Sequence, residues 1–177
     1  MPIDTTIFQV LKSGDLFKLK EHVDKHLEQL FISDRNGQTA LHIAAAEGLL
    51  QEASYLIECG SYAHVYNRAG RIPFHVAVKN NQIDMATFLL EMGTFPHMNT
   101  RSEDTALHLS VDSSLVDMSS WLISLGANLE YRNRDGDTPV HKAALSGNVT
   151  ILREMVKYSP DLELVDNAGA TPFHKAA

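Results

Sequence analysis

One local pattern returns along this chain at a fixed interval. Thr-Ala-Leu-His-Ile-Ala-Ala at 39–45, Pro-Phe-His-Val-Ala-Val at 73–78, Thr-Ala-Leu-His-Leu-Ser-Val at 105–111, Thr-Pro-Val-His-Lys-Ala-Ala at 138–144 and Thr-Pro-Phe-His-Lys-Ala-Ala at 171–177 place histidines at 42, 75, 108, 141 and 174. Every step is 33 residues, without an insertion. A register held this strictly narrows the fold sharply. Each unit must adopt the same local structure, and units must stack, because a unit this short cannot bury its apolar face alone.

The local structure follows from residue type. Thr39, Thr105, Thr138 and Thr171 are placed to cap a helix, with Ala or Pro at its first position. Six residues after the histidines come Gly48, Asn81, Ser114 and Gly147, where a short helix must stop and turn back, ideally through a left-handed residue. A second helix follows, its apolar columns read as Leu50, Ile83, Val116 and Val149; Leu56, Leu89, Leu122 and Met155; and Ile57, Leu90, Ile123 and Val156. Ala53, Ala86, Ser119 and Leu152 lie between them, on what is expected to be one face. Gly60, Gly93 and Gly126 end that helix, and Gly37, Gly70, Gly136 and Gly169 lie in the polar turn before the next motif.

Thr-Pro-Leu-His-type motifs at this period resemble the ankyrin repeat, and the resemblance runs from Ser33 to the C-terminus. It implies an all-α ankyrin-repeat solenoid, in which helix-loop-helix repeats of 33 residues are joined by β-finger turns. The organisation expected is an N-terminal capping helix pair at 1–32, four repeats at 33–65, 66–98, 99–131 and 132–164, and the start of a fifth at 165–177. The cap is read from Ile7–Val23, turning at Gly14-Asp15 with Leu16, Leu19 and Val23 on one face. The repeat at 99–131 is degenerate: Glu103 stands at the finger glycine, Ser114 at the helix-turn glycine and Ser110-Val111 at the usual small pair. Repeat two has Ile72 where a capping Thr is expected. The chain stops at Ala177 inside a first helix, and the natural protein is expected to continue.

Composition limits function. Fifteen Lys plus Arg against 22 Asp plus Glu give a net charge of −7, a field that repels polyanions and disfavours nucleic-acid binding. No apolar run reaches membrane-spanning length. A single cysteine, Cys59, and a start, Met1-Pro2-Ile3-Asp4, without a basic then apolar leader indicate a reducing, cytoplasmic setting, where Asn148-Val149-Thr150 stays unglycosylated. Five of the nine histidines belong to the repeat and are read as structural. His22 and His26 share a helical spacing but lack a third ligand. His64 and His97, one repeat apart, are too distant for one metal ion given the usual 8–10 Å between packed helices. Nothing places a base and an orienting carboxylate beside Cys59. No catalytic residue, cofactor or metal is expected.

Two columns remain. Tyr55, Phe88 and Trp121 recur on the second helices, where packing between stacked helices is favoured over a convex partner patch. Arg35, Arg68, Arg101 and Arg134 each lie two residues before the finger glycine position. The resemblance implies partner contact there; a merely solvated, charged turn is the other reading. Arg71 reinforces Arg68, whereas Glu103 and Asp104 flank Arg101 and Asp135 and Asp137 flank Arg134, so the positive stripe is expected to be strongest over repeats one and two. Further positions matching the family's contact set are Asn36, Gln38, Glu47, Lys79, Asn80, Asp112 and Leu145, with Met92, Leu125 and Tyr158 at second-helix ends. The function implied is a non-enzymatic, monomeric protein-interaction module binding a partner protein with an acidic segment on its concave face. The alternative is the N-terminal recruiting domain of a longer enzyme or bacterial effector whose catalytic part follows residue 177.

Overall fold

The first helices of four repeats start at the motif threonine because that residue and the histidine three positions on satisfy one another. Thr105 Oγ1 accepts from the His108 backbone N–H at 3.4 Å, and the Thr105 backbone N–H donates to His108 Nδ1 at 3.2 Å. Thr138 and His141 make the same pair of bonds at 3.3 and 3.2 Å. Two amides left without partners at a helix start are thereby used. The other ring nitrogen reaches forward to a carbonyl 29 residues on, at 3.0 Å in each case: His42 to Arg71, His108 to Asp137 and His141 to Ala170. With Nδ1 accepting, the network assigns the proton to Nε2, so one neutral imidazole caps its own helix and ties down the next finger. Burial holds His42 and His108 below the usual imidazole pKa.

The computed structural model describes residues 6–176. The leader reading at Met1–Asp4 and the last residue of the expected fifth first helix, Ala177, lie outside the described residues. Two compact units divide after Thr94. In the first, α1 (Ile7–Lys12) and α2 (Leu16–Lys25) form the capping pair, α2 being capped by Asp15 Oδ1, which accepts from the Lys18 N–H at 3.1 Å. A 3₁₀ turn, Leu27–Phe31, leads into α3 (Ala40–Glu47), α4 (Leu50–Glu58), α5 (Pro73–Lys79) and α6 (Ile83–Glu91). First helices pack on first helices, α1 on α3 on α5, and second on second, α2 on α4 on α6. The other unit carries α7 (Ala106–Asp112), α8 (Val116–Ser124), α9 (Pro139–Leu145), α10 (Val149–Val156) and α11 (Pro172–Lys175), with α7, α9 and α11 in one row and α8 and α10 in the other. No described residue is in a β-strand. This is an all-α ankyrin-type solenoid architecture built twice.

Gly48, Asn81, Ser114 and Gly147 all turn the chain with positive φ, as their positions predict. The second helices differ from expectation. The residues they bury are Glu52, Ala53 and Leu56 in α4, Met85, Ala86 and Leu89 in α6, Met118, Ser119, Leu122 and Ile123 in α8, and Ile151 and Met155 in α10. Of the expected columns headed by Leu50 and Ile57, only Ile123 is buried, while Leu50, Val149 and Val156 are exposed and the others half-buried. The face is rotated because the column at 52, 85, 118 and 151 points inward, and the glutamate at its head disguises it as polar. Ile72, without a capping hydroxyl, is 0% exposed and its N–H donates to His75 Nδ1 at 3.3 Å, so burial of the side chain offsets the missing cap. Ser110 and Ser119 are likewise satisfied, their hydroxyls 2.9 Å apart in the core of repeat three.

Candidate partner-binding surface

The fingers are turns built around one side chain, in a column that the motif analysis does not mark. The backbone N–H of Asp34, Asn67, Thr100, Asn133 and Asp166 donates to the carbonyl four residues on, at 2.9 Å in every finger. The same residues' side chains accept from amides within the turn. Asp34 Oδ1 takes those of Asn36 and Gln38 at 2.8 Å, Asn67 Oδ1 that of Arg71 at 3.0 Å, Thr100 Oγ1 that of Asp104 at 3.1 Å, and Asn133 Oδ1 those of Asp135 and Asp137 at 3.0 Å. The signal in the sequence is an Asp, Asn or Thr every 33 residues, immediately before the arginine in the first four fingers and before Asn167 in the fifth. This turn fixes where each arginine emerges.

In the first unit the Arg68 backbone N–H donates to the Asn36 carbonyl at 2.9 Å, stacking finger two on finger one. Gly37 permits that approach: its φ is +72°, and a Cβ there would lie 2.9 Å from Arg68 N. Arg35 and Arg68 are exposed, and among the described residues neither they, Arg71 nor Lys79 form an ion pair. Arg71 is half-buried, and its main chain is held three ways: its N–H by Asn67 Oδ1, and its carbonyl by the Asn67 N–H at 2.9 Å and His42 Nε2 at 3.0 Å. Its Nε is inaccessible and has no hydrogen-bond partner. A cavity of about 310 Å³ opens here, and its lining gathers Asn36, Gln38, Arg68, Arg71, Lys79 and Asn80 with no carboxylate among its residues. Arg35 is not in that lining. Glu47 lies in a neighbouring cavity of about 380 Å³ with Phe8, Lys12 and Asp34.

The second unit uses its charges differently. The Arg134 guanidinium donates through Nη2 to the Arg101 carbonyl, and its Nε stands 4.0 Å from Glu103. Asp112 pairs with Lys142 at 3.6 Å, and Leu145 is exposed. Asp104 accepts from Asn133 Nδ2 at 2.7 Å, tying finger three to finger four. Lys175 lies 3.1 Å from Asp137 and 2.7 Å from Asp166, and its hydrogen bond to Asp166 is the largest influence holding that carboxyl down to about 2.

The family model described as ankyrin repeats (three copies) matches residues 7–100, 64–133 and 107–177, which together span the chain from the capping pair onward. This chain belongs to the ankyrin repeat family. Ankyrin repeats are generally protein–protein interaction modules. No curated protein is significantly similar to this one. Among the described residues, no helix is long and apolar enough to cross a membrane, and no three His, Cys, Asp or Glu side chains are placed to hold a metal ion.

The remaining chemistry of this ankyrin array is accounted for locally. His22 and His26 have ring centroids 5.0 Å apart, and His22 Nε2 is 3.0 Å from Gln29 Oε1. His64 and His97 are exposed. On the second-helix side, Tyr55 donates to Asp24 at 3.5 Å with Lys20 Nζ 5.3 Å from its ring centre, so it seats the first repeat on the cap. Burial, then the Cys59 thiol and the Asp24 carboxylate, push the Tyr55 hydroxyl up to about 12. Phe88 and Trp121 are half-buried.

Proposed function

We propose that the chain is a non-enzymatic, monomeric interaction module that binds a partner protein along its fingers and first helices, through an acidic segment of that partner. Arg35, Arg68 and Arg71 carry the contact, with Gln38, Lys79 and Asn80 around them. The observation that supports this reading is the set of unpaired cations on one surface of a chain whose net charge is −7. In a chain with an excess of acids, cations left without carboxylates are available to a partner, and guanidinium forks pair with carboxylates in bidentate geometry. In this reading Glu47, and the second unit's Arg101, Arg134, Asp112 and Leu145 at equivalent repeat positions, contribute less.

The test is the double change Arg35→Glu and Arg68→Glu in the full chain, measured against a partner captured with the wild-type protein. Only exposed side chains change, so circular dichroism and melting should be retained while affinity falls at least about tenfold. Unchanged affinity, together with binding lost on changing Tyr55, Phe88 or Trp121 without unfolding, moves the partner to the second-helix side.

A further inference from the structure

We propose that the cavity between finger two and α5 is an oxyanion site, which receives one carboxylate or phosphoryl group from a side chain of the bound partner, with Arg71 as its anchor. This rests on the reading that the fingers and first helices of the first unit form the binding face. It goes further by naming the seat and the group that fills it.

The repeat itself supplies the first argument. At the position of Arg71 the other repeats carry Gln38, Asp104, Asp137 and Ala170, and at that of Lys79 they carry Ala46, Asp112 and Leu145. The scaffold therefore does not need a cation at either position, and three of these seven residues are acids. In the second unit those acids serve the array: Asp104 binds Asn133, Asp112 pairs with Lys142 and Asp137 lies against Lys175. Arg71 and Lys79 join nothing comparable. With Arg68 they bring three cations to a single concave lining that also carries amide side chains and no carboxylate.

The second argument is preorganisation. Three main-chain hydrogen bonds hold Arg71, Arg68 is tied to finger one, and Lys79 ends α5 beside Asn80, whose Nδ2 donates to the Val76 carbonyl at 2.8 Å. These bonds set the backbone from which each cationic side chain leaves, so the ligand has only the side chains left to order.

The experiment titrates the ¹⁵N-labelled 177-residue chain with inorganic phosphate and with acetate, using chloride at matched ionic strength as the blank. The expected result is saturable amide shifts confined to 67–71 and 79–80, weakened at least about tenfold in Arg71→Gln and in Lys79→Gln. Lys79 is exposed, so its variant remains informative even if Arg71→Gln perturbs the finger. Tighter binding of phosphate assigns the site to a phosphorylated side chain, and tighter binding of acetate to an aspartate or glutamate. No saturable shift with either anion overturns the proposal, as do equal shifts around Arg101 and Arg134 or unchanged binding in both variants. If the captured partner depends on Arg35 and Arg68 but Arg71→Gln and Lys79→Gln bind it and both anions as the wild type does, the oxyanion site falls and the module reading stands. If the anions bind in the cavity while the partner ignores every finger change, the site stands and the assigned face falls.

Discussion

His108 has both ring nitrogens committed, Nδ1 within 3.2 Å of the Thr105 amide and Nε2 3.0 Å from the Asp137 carbonyl, so a second proton would set a donor against a donor. Burial lowers the pKa of His108 and of His42, whereas an unfolded histidine titrates near its ordinary 6.5. Between 6.5 and the lowered folded values the unfolded chain binds more protons, so stability is fully present above 6.5 and drains away as pH falls through that window. Stability should be level from about pH 8 to 7 and then decline by up to about 1.4 kcal/mol per pH unit for each of these two imidazoles. Urea melts at stepped pH check this, and an unchanged midpoint from pH 7 to 5 contradicts it. Glu103 makes a second prediction. It holds φ +65° where four of the five fingers have glycine, and a left-handed backbone costs an ordinary residue about 1 kcal/mol. Its contact with Arg134, at 4.0 Å between exposed side chains, returns little. Glu103→Gly should therefore raise the urea midpoint, and a lowered midpoint would show that the ion pair outweighs the strain.

The first helices of the repeats were legible because one chemical pairing, Thr with the histidine three residues on, starts α3, α7, α9 and α11, with Ile72 in place of the Thr at α5, and because left-handed residues turn the chain after α3, α5, α7 and α9. The second helices were legible as helices but not in orientation. In a segment of eight or nine residues, apolar sets at the first, fourth, seventh and eighth positions and at the third, fourth and seventh both describe a face. Glu52 tilted the choice, although it is only 7% exposed. The finger architecture was half legible: the glycine was visible, while the Asp, Asn or Thr that closes each turn acts through oxygen positions that only folding brings to the amides. Repeat three remains the element that departs most, with Glu103 and Ser114 both at positive φ and a buried Ser110–Ser119 hydroxyl pair where its neighbours pack small apolar groups. Hydrogen exchange should find lower amide protection in 99–131 than in 33–65. Equal or higher protection there would mean that the serine pair and Val111, fully buried, replace what the lost glycines gave.

Charge is distributed unevenly over the whole chain. In the second unit Arg134, Lys142, Lys157 and Lys175 all stand within ion-pair distance of a carboxylate, so its cations are largely spent on the array. In the first unit the lysines in such pairs, Lys18 and Lys25, lie on α2, while Arg35, Arg68, Arg71 and Lys79 form no ion pair among the described residues. The 33-residue spacing revealed the arginine column but could not show this division, because it depends on where Glu103 and the finger carbonyls lie once folded. A partner with an acidic segment should therefore depend on one unit far more than on the other. Arg101→Glu with Arg134→Glu should change its affinity by no more than about twofold, because Arg134 already spends its guanidinium on the finger and exposed pairs contribute little. Arg35→Glu with Arg68→Glu should cost at least about tenfold, chiefly through unpaired cations turned to repulsion. Raising salt from about 50 to 300 mM should slow association of the wild type and of the Arg101/Arg134 variant alike, and should barely affect the Arg35/Arg68 variant. Equal losses in the two double variants would show that the partner reads the whole arginine column, and the asymmetry of internal pairing would then have no bearing on recognition.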